Sequence, residues 1–400
     1  MALVEAAGSR RKRASARLAF FCLAMILPVE AGLRFVFLHT GYLDKAYVNC
    51  DAWWRLRWIK WKVHREENIA HYYSIYAFDG SLGWSVKPGL SDHPMAKGAR
   101  VSTNSRGIRG TREHAFLKSR DRLRIVTLGD SFTFGEEVSD GENFPSYLET
   151  LVPAAEVINM GVGGYGHDQI SLYLEREGVK YGPDLIVLGF IAEDIERNRL
   201  RFRDYWKPRF SLRGETLELE TRSIPTVDET LRKEFLRVKA FDLFDMVVTL
   251  YRYRTGYNRK REQQITEKIL DRIVDVGVTA DARVVFAYLA VRDEIKGDDP
   301  SEGESFFRDY CDSRTKRYET KFSCVDTRPE FRRRARAGES FRGGQREGHY
   351  DRVGHLLVAG EIAAHLEDGS PEAHETAAAG DGALRRLSPS PLGNGSSGPE

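Results

Sequence analysis

A serine, a histidine and a carboxylate together can open an ester through a covalent intermediate, and this chain carries residues of those types at Ser131, His349 and Glu347. A serine hydroxyl is a weak nucleophile and needs a base. Histidine suits that role because its pKa lies near working pH, and a carboxylate beside it fixes its tautomer and steadies the imidazolium. Ser131 lies in Arg124-Ile-Val-Thr-Leu-Gly-Asp-Ser131-Phe-Thr-Phe-Gly135. Ile125, Val126 and Leu128 read as a short buried strand that ends on Gly129 and delivers Asp130 and Ser131 into a turn. A serine placed there points into the crevice at the carboxyl ends of the strands, where open α/β sheets bind ligands. Gly-Asp-Ser alone is also a common turn tripeptide, so the other segments decide.

Those segments repeat one rhythm. After Ser131 a helical pattern with Pro145 near its start covers Phe144 to Leu151. A second strand, Glu156 to Asn159, runs into Met160-Gly161-Val-Gly163-Gly164-Tyr165-Gly166, and a helix follows from His167 to about Val179. A third strand, Asp184 to Gly189, leads into Glu193, Asp194 and Asn198. Two more strands are expected at Arg283–Leu289 and Phe322–Asp326. Strand, glycine turn and helix in repetition predict a central parallel sheet of about five strands with helices on both faces, a three-layer α/β sandwich. The polar stretch from Asn198 to Val227 reads as an insertion near the site, with helical patterns from Glu229 to Tyr253 and Arg261 to Val276. The last ordered element runs from Glu347-Gly-His349 through Asp351 and His355 into a helix ending near Leu366.

Five basic residues, Arg10, Arg11, Lys12, Arg13 and Arg17, precede an apolar run from Leu18 to Leu38. The run is long enough to cross a bilayer, with its basic flank left in the cytoplasm. Glu30 and Arg34 interrupt it and leave an uncharged core of signal-peptide length, with Val29-Glu30-Ala31 as a passable cleavage site. Spaced i, i+4, the two charges can instead pair on one helix face. The expectation is an uncleaved single-pass anchor in the cytoplasmic membrane, with the rest of the chain on the extracytoplasmic side. Trp54, Trp58 and Trp61, with Arg57, Lys60 and Lys62 between them, suit a helix in the headgroup layer or, equally, one packed on the main domain.

The expected organisation is a cytoplasmic segment 1–17, an anchor 18–38, a lead-in 39–120, a main domain 121–366 and a disordered tail 367–400, poor in large apolar residues. A net charge of +2 gives no reason to expect a nucleic-acid partner. With no Cys-x-x-Cys pair and no phosphate loop, no metal or cofactor is expected. Cys311 and Cys324 fall close together, and in an exported domain they form a disulfide or else remain two buried thiols.

Gly129-Asp130-Ser131, Asn159-Met-Gly161-Val-Gly163-Gly164, Gly189 to Asp194 and Glu347-Gly-His349 with Gly354-His355, in this order, resemble the SGNH or GDSL-type hydrolases over residues 121 to 366. Leu82-Gly83-Trp84 and Asn104-Ser-Arg-Gly107 resemble the lead-in of membrane-anchored bacterial members. The resemblance implies Ser131 as nucleophile, His349 as base ahead of His355, and Glu347 where the family usually has Asp. His355 then packs or caps. It further implies an oxyanion hole from the backbone N–H groups of Ser131 and Gly164. The third family donor is an Asn at the position filled by Glu193, and an ionised carboxylate cannot donate. A protonated Glu193, Asn198, Asn159 or a two-donor hole remain open.

Asp130, Glu193 and Asp194 are candidates for substrate contact. The run Phe331-Arg332-Arg333-Arg334-Ala-Arg336, continued by Arg342 and Arg346, is either a solvated face or a grip for an anionic group. The expected activity is removal or transfer of an O-acyl group, most plausibly acetyl, on an extracytoplasmic carbohydrate or lipid-linked substrate. The rival is a non-catalytic subunit of an envelope polysaccharide complex, with Glu193 and Glu347 marking decayed chemistry.

Overall fold

The computed structural model describes residues 24, 26–64, 74–220, 223–257, 259–297, 299–341 and 348–368. The expected cytoplasmic segment, the start of the apolar run, Glu347, Arg342 and Arg346, and nearly all of the tail lie outside the described residues. The chain forms two compact units. One comprises Met1–Ser85 with Glu196–Lys268, and the other Val86–Ile195 with Ile269–Glu400. The segment 196–268, expected inside the main domain, therefore groups with the N-terminal residues.

The second unit is built on five parallel strands, β1 (Leu123–Leu128), β2 (Ala155–Asn159), β3 (Leu185–Phe190), β4 (Arg283–Tyr288) and β5 (Phe322–Asp326). Their order across the sheet is β5-β4-β3-β1-β2. Ile125 of β1 is level with Val157 of β2 on one side and Leu185 of β3 on the other. All six residues of β3 are buried, as a strand covered on both faces must be, and this explains its unbroken apolar run. On one face Ile125, Val157, Val187, Val285 and Val325 form a core with Phe144, Leu148, Leu357, Val358 and Ile362 from the helices Phe144–Leu151 and Arg352–Asp368. On the other face Tyr310 of the helix Glu302–Tyr318 stacks on Phe286 of β4. Gly277 comes so close that an added Cβ would sit 2.5 Å from Val284. The three-layer α/β expectation holds.

Cys311 of the Glu302–Tyr318 helix and Cys324 of β5 are joined in a disulfide. His355 is fully buried, and its Nδ1 accepts the N–H of Phe144 at 3.2 Å, capping the Phe144–Leu151 helix. Burial, then Arg109 and His349, push its pKa down to about 3, so it is a neutral structural imidazole.

In the first unit the helix Asp51–His64 buries Trp53 and Trp58, and Trp54 is half-buried. The Trp53 indole donates to the Leu43 carbonyl at 3.1 Å, and Trp58 packs on Phe202 and Tyr205. Packing, not the headgroup layer, takes these rings. Glu30 and Arg34 do pair, at 2.8 Å. Among the described residues no helix is long and apolar enough to cross a membrane. The insertion forms an antiparallel hairpin, Phe210–Arg213 with Thr216–Leu219.

The Cys311–Cys324 bridge closes a loop with a sequence separation of 13, a length for which chain-entropy arguments give about 3 kcal/mol. Cys324→Ser should lower the unfolding free energy by roughly that amount in chemical denaturation, and reductant should have the same effect on the parent chain. Identical midpoints with and without reductant would contradict the bridge.

Candidate active site

β1 ends on Gly129, and the chain enters a single helical turn, Ser131–Phe134. Asp130 starts that turn by accepting the Phe132 N–H at 2.9 Å, an ordinary N-cap contact. The turn fits only because its neighbours are small. A Cβ on Gly161, after β2, would lie 2.4 Å from the Phe134 nitrogen, and one on Gly189, in β3, would lie 2.3 Å from Thr133 Oγ1. Asn159 at the end of β2 donates to the Thr133 carbonyl at 3.1 Å and accepts the Gly161 N–H at 3.0 Å. Its amide therefore ties β2 to the turn and is committed to that work.

Arg109, from the lead-in, completes the cage. Its buried guanidinium donates to the carbonyls of Phe134 (2.7 Å), Gly135 (2.6 Å) and Val138 (2.7 Å) and pairs with Asp140 at 3.3 Å. It also lies over the Phe134 ring.

Ser131 Oγ lies 2.8 Å from His349 Nε2, the separation a nucleophile and its base require. The His349 ring leans on Phe132, with centroids 4.8 Å apart, and its side chain is 19% exposed. With Nε2 facing the serine hydroxyl, Nδ1 carries the proton. The carboxylate facing Nδ1 is Glu137, whose Oε1 is 3.4 Å away. That contact is longer than a well-formed charged hydrogen bond, and Nδ1 has no closer partner among the described residues. Such contacts often tighten only once substrate is bound. Glu136 stands on the other side of the ring, 3.8 Å from Nε2, and Glu137 is paired in turn with Lys97. Lys97 has a left-handed backbone, φ 57°, which costs a non-glycine residue of order 1 kcal/mol.

Burial pulls the His349 pKa down, but Glu137, Glu136 and Asp130 outweigh it and raise the group above its ordinary value. Burial likewise raises Glu137, while His349 and Lys97 more than offset it, leaving that acid below its usual range.

The other expected residues fall as follows. Gly164 lies in the turn after β2 with φ 79°. Among the described residues, neither its N–H nor that of Ser131 is donated to another group. Glu193 is exposed at the start of the short helix Glu193–Arg197, and Asp194 is fully buried. Asn198 belongs to the first unit, where its amide donates to Thr266 Oγ1 at 2.8 Å. The arginines of the helix Arg328–Arg336 are largely paired within the second unit. Arg332 meets Glu304 at 2.7 Å, and Arg333 and Arg334 both hold Glu330, which favours the structural reading of that run.

Glu137, Lys97 and Arg109 were not singled out from the sequence. Gly135-Glu136-Glu137 directly follows the serine turn, and two acids that close to a nucleophile were the signal available. If these carboxylates set the charge of His349, an NMR titration should place its pKa above the usual 6.5 or so. Glu137→Gln should move it down, because the neutral amide no longer favours imidazolium. An unchanged or raised value in the variant would contradict the assignment.

No family model matches the chain, and no curated protein does. Among solved structures it is similar to a lipolytic GDSL-family protein from Veillonella parvula, at 15% identity over 61% of this chain and 96% of that one, TM-score 0.36. A catalytic mutant of an acetylxylan esterase from Geobacillus stearothermophilus matches at 12% identity over 63% and 96%, TM-score 0.37. A GDSL-like lipase from Bacteroides thetaiotaomicron matches at 13% over 63% and 92%, TM-score 0.36. The chain's own five parallel strands, in the order β5-β4-β3-β1-β2, agree with the fold that the SGNH resemblance implies.

Proposed function

We propose that this protein is a serine esterase whose nucleophile is Ser131, acting on an O-acetyl group of a carbohydrate outside the cytoplasmic membrane. The observation that carries the reading is the 2.8 Å contact between Ser131 Oγ and His349 Nε2 at the carboxyl end of β1. Ser131 Oγ attacks the ester carbonyl as His349 Nε2 takes its proton. In this reading the Ser131 and Gly164 N–H groups are the donors to the oxygen that becomes negative, a type of donor whose loss typically costs about 10² to 10³ in rate. The imidazolium returns the proton to the leaving alkoxide, leaving an acyl-serine. Water then attacks, His349 accepts its proton, and the carboxylic acid departs with Ser131 restored.

Glu137 is the acid that orients His349 in this reading. It faces Nδ1, and its own carboxyl is held ionised by Lys97 and His349. The extracytoplasmic location draws support from the Cys311–Cys324 bridge, since disulfides persist in oxidising compartments, and from the basic flank and apolar run at the N-terminus.

A serine-directed fluorophosphonate should label the folded chain and not Ser131→Ala. Labelling that survives that change, or a folded parent that takes none, would refute the esterase reading. Glu137→Gln should lower kcat by about 10³ to 10⁴ and shift the acid limb of kcat/KM to lower pH, while Glu347→Gln should stay near the parent. The reverse result would return the orienting role to Glu347. In the parent, activity should rise with pH through a value above about 6.5, because only the neutral imidazole accepts the serine proton.

A further inference from the structure

The helix Lys239–Thr255 in the first unit is turned inside out. Its inward side carries Lys239, Asp242, Met246 and Thr249. Two of these join a buried ionic cluster: Asp242 and Glu234 share Arg55, Lys239 meets Glu234 at 2.9 Å, and Arg237 meets Asp242 at 2.7 Å. Its outward side carries Phe241, Phe244, Val247 and Tyr251, at helical spacing. Phe241 and Phe244 are each 67% exposed, and just before the helix Phe235 and Leu236 are 80% and 79% exposed. Water does not favour that arrangement, and an apolar medium does. Contiguous exposed apolar surface of this kind marks a contact site.

Residues 26–39 form a second helix in the same unit, and its charges are consumed by the first. The Glu30 carboxylate accepts the Lys239 N–H at 2.7 Å at the N-terminal end of the inverted helix, where a negative charge is favoured. Arg34 donates to the Arg237 carbonyl at 2.7 Å and the Phe235 carbonyl at 3.3 Å. Once these two groups turn inward, Ile26, Leu27 and Val29 are left as exposed apolar residues on the run that continues towards Leu18. The inverted helix is thus joined, residue to residue, to the segment read as the membrane anchor. At its far end Tyr251 and Tyr253 alternate with Arg252 and Arg254, all exposed. Aromatic and basic residues together suit the headgroup region of an anionic bilayer.

We propose that the face formed by Phe235, Leu236, Phe241, Phe244, Val247 and Tyr251 lies in the interfacial layer of an anionic lipid bilayer, as a second membrane contact beside the N-terminal run. It rests on the extracytoplasmic reading of the proposed function, with the N-terminal apolar run as the anchor, and adds a surface that fixes how the first unit meets the lipid. The occupant is lipid, not a second protein copy, because the face is continuous with the apolar N-terminal run and ends in exposed arginines.

The test uses the full chain with Cys22→Ser. Cys311 and Cys324 are bonded to each other, and the Cys50 thiol is buried, with burial and then Asp245 and Asp51 pushing it up to about 12. Phe244→Cys is labelled with a nitrobenzoxadiazole dye, and Glu215→Cys, at an exposed hairpin turn of the same unit, serves as the reference. Both are floated with vesicles of phosphatidylethanolamine and phosphatidylglycerol carrying acyl-chain-brominated lipid. The dye at 244 should lose about half or more of its emission, as expected for a probe a few ångströms into the interface, and the dye at 215 should lose none. Flotation with no quenching at 244 overturns the proposal and leaves the anchor standing. Failure to float overturns both. Lipid-independent, concentration-dependent disulfide cross-linking between Phe244→Cys chains, without quenching, assigns the face to self-association and also overturns it.

Discussion

The guanidinium of Arg109 is the contact on which the site depends. A one-turn helix has no interior, so nearly all of its carbonyls need partners from elsewhere. Here the turn Ser131–Phe134 and the residues after it are buried. A buried carbonyl without a partner costs about 1 to 3 kcal/mol, and Arg109 satisfies three of them. A planar group with five donors in a fixed fork can do this, and a lysine ammonium cannot span the same set. Asn159 holds the same turn from the β2 side through the Thr133 carbonyl. The serine is thereby fixed from the lead-in and the sheet together, and so is the Gly135–Asp140 segment that carries Glu136 and Glu137.

The part the lead-in plays in that arrangement is not legible in its sequence. Thr103-Asn-Ser-Arg-Gly-Ile-Arg109-Gly has no apolar period, and turn-rich polar sequence gives no sign of which side chain will be buried. Arg109 is used for its donors, and a donor's partners are main-chain carbonyls that leave no mark in the residue types around them. Lys97 is hidden for another reason, since its partner is the Glu137 carboxylate 40 residues further along the chain. Glu137 is distant in sequence from the histidine, and only folding brings this acid from beside the serine to 3.4 Å from His349 Nδ1.

The sheet was legible because its strands must be apolar on both faces. β3 is apolar throughout, and β1 and β4 carry the apolar stretches Ile125-Val126 and Val284-Val285-Phe286-Ala287. His355 was legible as a capping or packing residue, and the Cys311–Cys324 pairing was among the alternatives left open. The helix Asp51–His64 was ambiguous in principle, because tryptophans interleaved with arginine and lysine suit a bilayer surface and a core edge alike. The choice is made by Glu234 and Asp242, nearly two hundred residues away, which neutralise Arg55 and allow that helix to be buried. The same two acids turn the Lys239–Thr255 helix inside out. A periodicity argument recognises an apolar stripe there, but cannot tell that it faces away from the protein.

The electrostatics around His349 weigh two demands against each other. Three carboxylates, Glu137, Glu136 and Asp130, favour the imidazolium over the burial that opposes it. Each unit of upward shift is worth about 1.4 kcal/mol to the charged state that forms when Ser131 gives up its proton. The same unit removes about nine tenths of the neutral base at any pH well below the shifted value. An enzyme working near neutral pH gains from the first effect only while the pKa stays close to the pH at which it operates. Lys97 pairs with Glu137 and, together with His349, outweighs the burial of that acid, so the carboxyl facing Nδ1 is held below its usual range and stays charged beside the ring.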